Sequence, residues 1–141
     1  ATNHRSMTRL IKTTPAAELL NECGIGTVTA AVVITTWSHP GRVRSEAAFA
    51  ALAGVNPIPA SSGNTQRHRL NRGGDRRLNQ ALHMAIITRM THHDDTRSYV
   101  ERRTQEGKTK REIRRCLKRY LARRIHRHLT RAYTQTPLDE T

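Results

Sequence analysis

KREIRRCLKRYLARRIHRHLTRAY, residues 110–133, sets the fold class of this 141-residue chain. Its apolar side chains recur every three or four positions, which is the spacing of one face of an α-helix. The predicted inward stripe consists of Ile113, Cys116, Leu117, Tyr120, Leu121, Ile125, Leu129 and Ala132. Most other positions are Arg, Lys or His, so the segment predicts one long helix with a basic outer face.

Other helices follow from similar patterns upstream. Asp75 is a predicted N-cap, and Asp95 caps a shorter helix that carries Tyr99 and Val100 and ends at Gly107. The inward face of the helix after Asp75 is Leu78, Ala81, Leu82, Ala85, Ile86 and Met90. Ser45 caps EAAFAALA (46–53), which Gly54 ends.

The N-terminal part is less regular. TVTAAVVITTW (27–37) is rich in β-branched residues that favour a strand, but its alanines and the preceding glycines favour a helix, which we predict. A first helix opens at Thr14, turns Leu19 and Leu20 inward and stops at Gly24. Residues 1–14 are expected to be a disordered end or linker stub, 15–134 one domain and 135–141 a polar tail. The sequence thus predicts an all-α fold of about six helices.

Charge points to the class of partner. Lys and Arg outnumber Asp and Glu by 25 to 11, giving a formal net charge of +14 and a pI near 11.4. Such a surplus favours a polyanion as partner, and nucleic acid is the natural one. Aromatic residues make up only 4% of the chain, which predicts backbone electrostatics rather than base stacking as the main binding mode.

Several other classes are disfavoured. No run approaches the roughly 18 apolar residues of a membrane span, and ATNHRSMTRLIK (1–12) has no apolar core of a signal peptide. We therefore expect a cytoplasmic protein without a membrane partner. Cys23 and Cys116 are predicted to be reduced, buried thiols. HHDD (92–95) resembles a metal-ligand set, but consecutive side chains diverge, so no metal site is predicted.

LLNECGIGTVTAA (19–31) predicts a first phosphate contact. A glycine hairpin between two helices exposes the backbone N–H groups and the positive dipole end of the second helix. The segment is similar to a helix-hairpin-helix motif, which grips a nucleic-acid backbone without reading bases. Gly24, Gly26 and Thr27 are the predicted contacts.

VNPIPASSGNTQRHRLNRGG, residues 55–74, is a predicted loop that we term the serine segment. Attack on a phosphodiester by a serine hydroxyl requires a close fit, a base and cations around the phosphoryl oxygens. Gly63 permits close approach and His68 can accept a proton. The candidate cations in and after the segment are Arg67, Arg69, Arg72, Arg76 and Arg77. On residue types alone, a solvated loop whose arginines only bind phosphate is the favoured interpretation.

A family resemblance sharpens this choice. GIGTVTAA, RSEAAFAALAG, ASSGNTQRHRLNRGGDRRLNQALH and EGKTKREIRRCLKRYLARRI follow one another as in the C-terminal domain of serine-type insertion-sequence transposases, relatives of the Piv invertase. The resemblance covers about residues 16–130. It implies that Ser62, directly before the glycine, is the nucleophile that forms a covalent serine–DNA link; Ser61 is the weaker candidate. It also implies DNA and, as in some members, a bridge RNA as partners, and a homo-oligomeric synaptic complex.

The same resemblance implies a RuvC-like N-terminal domain whose acidic cluster holds magnesium. These 141 residues contain no such acidic set, so we expect no cofactor in this chain and an incomplete active site. The basic residues at the start of the last helix are expected to follow a phosphate track: Arg111, Arg114, Arg115, Lys118 and Arg119. Two alternatives stay open, a non-catalytic DNA- or RNA-binding module and a ribosomal RNA-binding protein, although the ordered match after Leu78 disfavours the latter.

Overall fold

A computed structural model describes residues 2–55 and 75–135. Within these ranges the chain forms six α-helices and one 3₁₀ helix, and no strand. The α-helices are α1 (Thr2–Lys12), α2 (Thr27–Trp37), α3 (Glu46–Leu52), α4 (Arg76–His92), α5 (Asp94–Gln105) and α6 (Lys110–Gln135), and the 3₁₀ helix is Pro15–Asn21. The all-α prediction is confirmed, including the helix rather than strand at 27–37.

Helix α6 is the centre of the fold. It contacts α2, α3, α4, α5 and the 3₁₀ helix, so nearly every other element packs on it. The core contains, among others, Trp37, Phe49, Leu78, Leu82, Ile86, Ile125 and Leu129, each at most 1% exposed. The predicted stripe of α4 is buried from Leu78 to Ile86, with Met90 packed against the core.

Side-chain caps explain several helix boundaries. Ser45 Oγ accepts from Ala48 N at 3.0 Å and Asp75 Oδ1 from Leu78 N at 2.9 Å, as predicted from sequence. The cap of α5 was predicted wrongly: it is His93, whose Nδ1 accepts from Thr96 N at 3.3 Å, and Asp95 lies in the first turn. An imidazole nitrogen can accept this bond, but histidine is outside the usual list of capping residues.

Three further predictions were wrong. Residues 2–12 are helical, because Ile11 is buried and α1 packs on α2 and the 3₁₀ helix. The first predicted helix is a 3₁₀ helix that ends at Asn21 and buries Leu19, whereas Leu20 is only half-buried. On α6 Tyr120 is 50% exposed, while Ala122 and His126 are buried instead.

The apolar pattern of α6 did not predict the burial of His126. This burial is possible because the imidazole has a hydrogen-bond partner inside the fold. Its Nε2 lies 3.0 Å from the carbonyl oxygen of Val43, and its ring lies 5.7 Å from that of Phe49. Both cysteines are free and half-buried, less enclosed than the sequence suggested. No helix within the described ranges is long and apolar enough to cross a membrane.

Candidate nucleic-acid interface

The residues on either side of the serine segment are hydrogen-bonded to each other. The backbone N–H of Asp75, where the described chain resumes, donates to the carbonyl of Leu52 at 2.6 Å. One turn later the Asn79 side-chain amide donates to the carbonyl of Ala53 at 2.7 Å. Val55 is 2% exposed, so the last residue before position 56 is anchored in the core. The described residues on either side of positions 56–74 therefore lie close together.

A cationic cavity of about 270 Å³ lies at that place, and we term it the basal cavity. Gly54 and Val55 form the side from which the serine segment departs. The other lining residues come from α4 and the first turns of α6: Asn79, His83, Arg111, Arg114, Arg115 and Lys118. None of these is acidic, so the cavity concentrates positive charge without an internal counter-ion.

The cations of the basal cavity are incompletely satisfied within the described chain. Lys118 Nζ reaches Asn79 Oδ1 at 3.4 Å, a long contact to a neutral partner. The Nε of Arg114 is buried without a hydrogen-bond partner among the described residues. Buried donors that lack an acceptor are costly, and an anionic ligand would relieve that cost.

The pKa values of two lining residues are lowered by burial and by the neighbouring positive charges. Burial, followed by the charges of Arg115 and Arg114, lowers the pKa of Lys118. Burial also lowers the pKa of His83, with the charges of Lys118 and Arg114 adding to it. These groups destabilise one another's positive charge, so a bound phosphate would stabilise the protonated form of each of them.

The C-terminal part of α6 is electrostatically different. Arg124 binds both carboxylate oxygens of Glu22, at 3.1 and 3.0 Å, and Arg127 binds those of Glu46, at 3.0 and 3.3 Å. Arg123 also lies 3.4 Å from Glu46. The basic face is therefore divided: Arg123, Arg124 and Arg127 in its second part are paired with carboxylates, whereas the cations at the basal cavity form no ion pair among the described residues.

Glu22 and Glu46 hold these pairs as carboxylates. The hydrogen bond from Arg127 lowers the pKa of Glu46 against partial burial, and the charges of Arg127 and Arg123 lower it further. For Glu22, burial raises the pKa, but the hydrogen bond and charge of Arg124 outweigh it, so the pKa is lowered overall.

Four of the five predicted α6 cations, Arg111, Arg114, Arg115 and Lys118, thus converge on one cavity. Arg119 does not line it; its guanidinium lies 5.4 Å from the ring centre of Tyr120. The sequence prediction missed Asn79 and His83. Their four-residue spacing from Asp75 places all three on one side of α4, and this polar row beside the apolar stripe is the signal that could have revealed them.

The glycine hairpin allows close packing against α4 and also exposes backbone N–H groups. Gly24 has φ +88° and lies against α4, where a Cβ atom would come 2.5 Å from the carbonyl oxygen of Ala85. Gly26 is the exposed N-cap of α2 and offers no side chain to the first-turn amides. The Thr27 hydroxyl is buried and lies 2.6 Å from that of Thr8. Phosphate contact at these residues stays a prediction, carried by backbone N–H groups rather than by the threonine hydroxyl.

The remaining predicted site residues are placed only in part. Arg76 and Arg77 are exposed in the first turn of α4 and form no ion pair within residues 2–55 and 75–135. The other candidates lie outside the described residues: Ser61, Ser62, Gly63, Arg67, His68, Arg69 and Arg72.

Metal ligands are not assembled in the part of the chain that the structure describes. No three His, Cys, Asp or Glu side chains there converge on a common point. The Nδ1 atom of His93 lies 2.7 Å from the Thr96 hydroxyl oxygen. The magnesium implied by the family resemblance therefore has no ligand set among these residues.

Two comparisons with known proteins agree with each other. The sequence profile described as Transposase IS116/IS110/IS902 family matches residues 16–101. A Streptomyces coelicolor protein named "Insertion element IS110 uncharacterized 43.6 kDa protein" is 30% identical over 102 residues, which is 71% of this chain. The chain spans about a quarter of that relative's length, as the match covers 25% of it. No solved structure matches.

Proposed function

This chain belongs to the Transposase IS116/IS110/IS902 family, and we propose that it is the part of a DNA transposase that holds nucleic acid at the basal cavity and supplies Ser62 as nucleophile. The observation that supports this proposal is the hydrogen bonding between the residues that flank the serine segment, beside a cavity lined by four cations that have no ion pair among the described residues. A phosphate held by those cations would lie next to Val55, where the segment that carries both serines begins.

The proposed chemistry is a transesterification. The Ser62 hydroxyl oxygen attacks phosphorus, its proton passes to a base, and the bond from phosphorus to one deoxyribose oxygen breaks, leaving that oxygen protonated. His68 is the candidate base. The resulting serine–DNA diester conserves the bond energy, so attack by a DNA hydroxyl rejoins a strand and frees the serine without nucleotide hydrolysis.

Arginines supply the electrostatic part of the proposal. Charge accumulates on the phosphoryl oxygens as the nucleophile adds, and guanidinium groups can meet it with paired donors. Arg76 and Arg77 are suited to this role because they are exposed directly after the serine segment and unpaired among the described residues. A RuvC-like domain with magnesium, a guide RNA and a synaptic oligomer belong to the same proposal for the whole transposase.

Covalent trapping tests the nucleophile. The chain, with its RuvC-like partner domain supplied, is incubated with insertion-sequence-end DNA and quenched in denaturant, and a protein–DNA adduct is mapped by mass spectrometry. Ser62→Ala should abolish the adduct and leave non-covalent affinity within about two-fold. An adduct that survives Ser62→Ala but not Ser61→Ala would move the nucleophile by one residue, and one that survives both refutes serine chemistry.

Arg76→Gln and Arg77→Gln refine the test. Either should reduce the rate of adduct formation more than the affinity if the residue meets transition-state charge. Equal losses in rate and affinity would make both arginines ordinary phosphate ligands. The second candidate function, a non-catalytic binding module, is favoured by the basal cavity alone and predicts full binding with no adduct under any condition.

A further inference from the structure

Two more cavities continue from the basal cavity along the first part of α6. A middle cavity of about 340 Å³ shares Arg111 and Arg115 with the basal cavity. An aromatic cavity of about 230 Å³ shares Tyr99 with the middle cavity. Shared lining residues make the three cavities neighbours around the first part of α6, and we term them together the track.

The character of the track changes along its length. The basal and middle cavities are cationic; in the middle one Lys108 adds to Arg111 and Arg115, while Arg103 is paired with Glu106 at 2.7 Å. The acid of the middle cavity, Glu112, is already engaged, since its Oε1 accepts from the backbone N–H of Thr109 at 2.9 Å. This part of the track suits phosphates.

The aromatic cavity suits a different group. Its walls include Ile86, Leu117, Leu121, Tyr99 and Tyr120. The two arginines at its edge, Arg89 and Arg124, share Glu22, and Asp95 also lines the cavity, so the charges around it nearly balance. A flat, apolar ligand fits these walls better than a phosphate does.

Tyr120 is the exposed aromatic surface at this end. Half of its surface is accessible, although it lies on the mostly buried apolar stripe of α6. Tyr99 meets it edge-on with ring centres 5.9 Å apart, and this contact holds the ring in place. Guanidinium groups surround the pair: Arg119 lies 5.4 Å from the ring centre of Tyr120, and Arg102 and Arg103 lie 5.6 and 5.7 Å from that of Tyr99.

We propose that this track binds an unpaired nucleic-acid strand, with phosphates in the basal and middle cavities and one base stacked on Tyr120. Single-strand sites combine a cationic groove with an aromatic platform, and both are present here along one helix. A base within a duplex is covered by its neighbours and cannot reach a side chain in this way. The track thus distinguishes unpaired from paired strands, which the charge of the chain alone does not, and it does not depend on Ser62.

Fluorescence polarisation with the whole chain tests the proposal. The probes are a labelled ten-nucleotide DNA strand, the same sequence as RNA, a duplex, and a strand of abasic residues with equal phosphate number. Tyr120→Ala should weaken both base-containing single strands by about five-fold or more, and the duplex and abasic strand by less than two-fold. Tyr120→Phe should restore binding, and Met84→Ala, at an equally exposed apolar position on α4, should change nothing.

The tighter of the DNA and RNA strands identifies the natural source. Equal losses for single strand, duplex and abasic strand, or no loss for any, would overturn the stacking site. Because Tyr120 is exposed, its substitution should leave the fold intact, and the circular dichroism melting curve checks this. As a second variant, Arg115→Gln should weaken all four probes, including the abasic strand; an unchanged abasic affinity would remove the phosphate part of the track.

Discussion

Replacing Gly24 by alanine tests whether the glycine hairpin is maintained by packing. Two costs combine at this position. A φ of +88° is unfavourable for an L-residue by about 1–2 kcal/mol. The new Cβ would also lie 2.5 Å from the backbone oxygen of Ala85, half an ångström inside the 3.0 Å limit for real Cβ contacts, and α4 cannot yield as a flexible side chain would.

Crowding of this kind costs about 1–3 kcal/mol. The expected total for Gly24→Ala is therefore about 2–5 kcal/mol, which for a chain of this size lowers the melting temperature by roughly 6–15 °C. Gly41→Ala is the matched control, because Gly41 has φ +89° with no atom within 4 Å of its Cβ position. That variant carries the conformational cost alone, roughly 3–6 °C.

Calorimetry of the two variants and the parent chain measures the difference. Equal melting temperatures for Gly24→Ala and Gly41→Ala would refute the proposed clash with α4. Nucleic-acid affinity measured well below the transition gives a second reading: an affinity that stays within about two-fold shows that Gly24 acts through packing, whereas a selective loss of affinity assigns it to phosphate contact.

Three further predictions concern charge. Lys118→Met should reduce the slope of log affinity against log salt concentration for nucleic acid by about one. Arg131 is exposed near the other end of α6, and Arg131→Gln should leave the slope unchanged. Equal slopes for the two variants would remove the basal cavity from the interface. The pKa of His83 is lowered in the free protein, and a phosphate beside the ring would raise it. Binding therefore takes up a proton, and nucleic-acid affinity rises as pH falls through the interval between the pKa of the free protein and that of the complex. His83→Ala should flatten this pH dependence in binding titrations from pH 8 to 5. The pKa of Glu46 is lowered in the folded protein from a value near 4.5 in the unfolded chain. The carboxylate therefore stabilises the fold above pH 4.5, and this stabilisation is lost as pH falls through the pKa of the folded state. Glu46→Gln should remove this pH-dependent part of the free energy of unfolding, measured in urea between pH 6 and 3.

The helical architecture was predictable because periodicity and caps agree locally. The stripe of α4, the serine cap of α3 and the long α6 could all be read from spacing. Helix α1 was not predictable in this way, because Ile11 is the one buried residue among positions 3–12 and the position of α1 depends on contacts with α2 and the 3₁₀ helix. The exposed position of Tyr120 likewise depends on how α5 lies against α6.

The candidate site was predictable as a list of cations but not as a geometry. The sequence alone does not show which basic residues of α6 are free to bind an anion, those from Arg111 to Arg119 or Arg123, Arg124 and Arg127. The distinction depends on Glu22 and Glu46, which lie roughly 80 to 100 positions away in the chain and contact the second part of α6 only in the folded structure. Convergence of Asn79 and His83 on the same cavity is also a product of packing between α4 and α6.

The bonds from Asp75 to Leu52 and from Asn79 to Ala53 have an evolutionary consequence. They hold the helical body together on both sides of positions 56–74, so selection on folding acts on residues that flank the serines in the sequence.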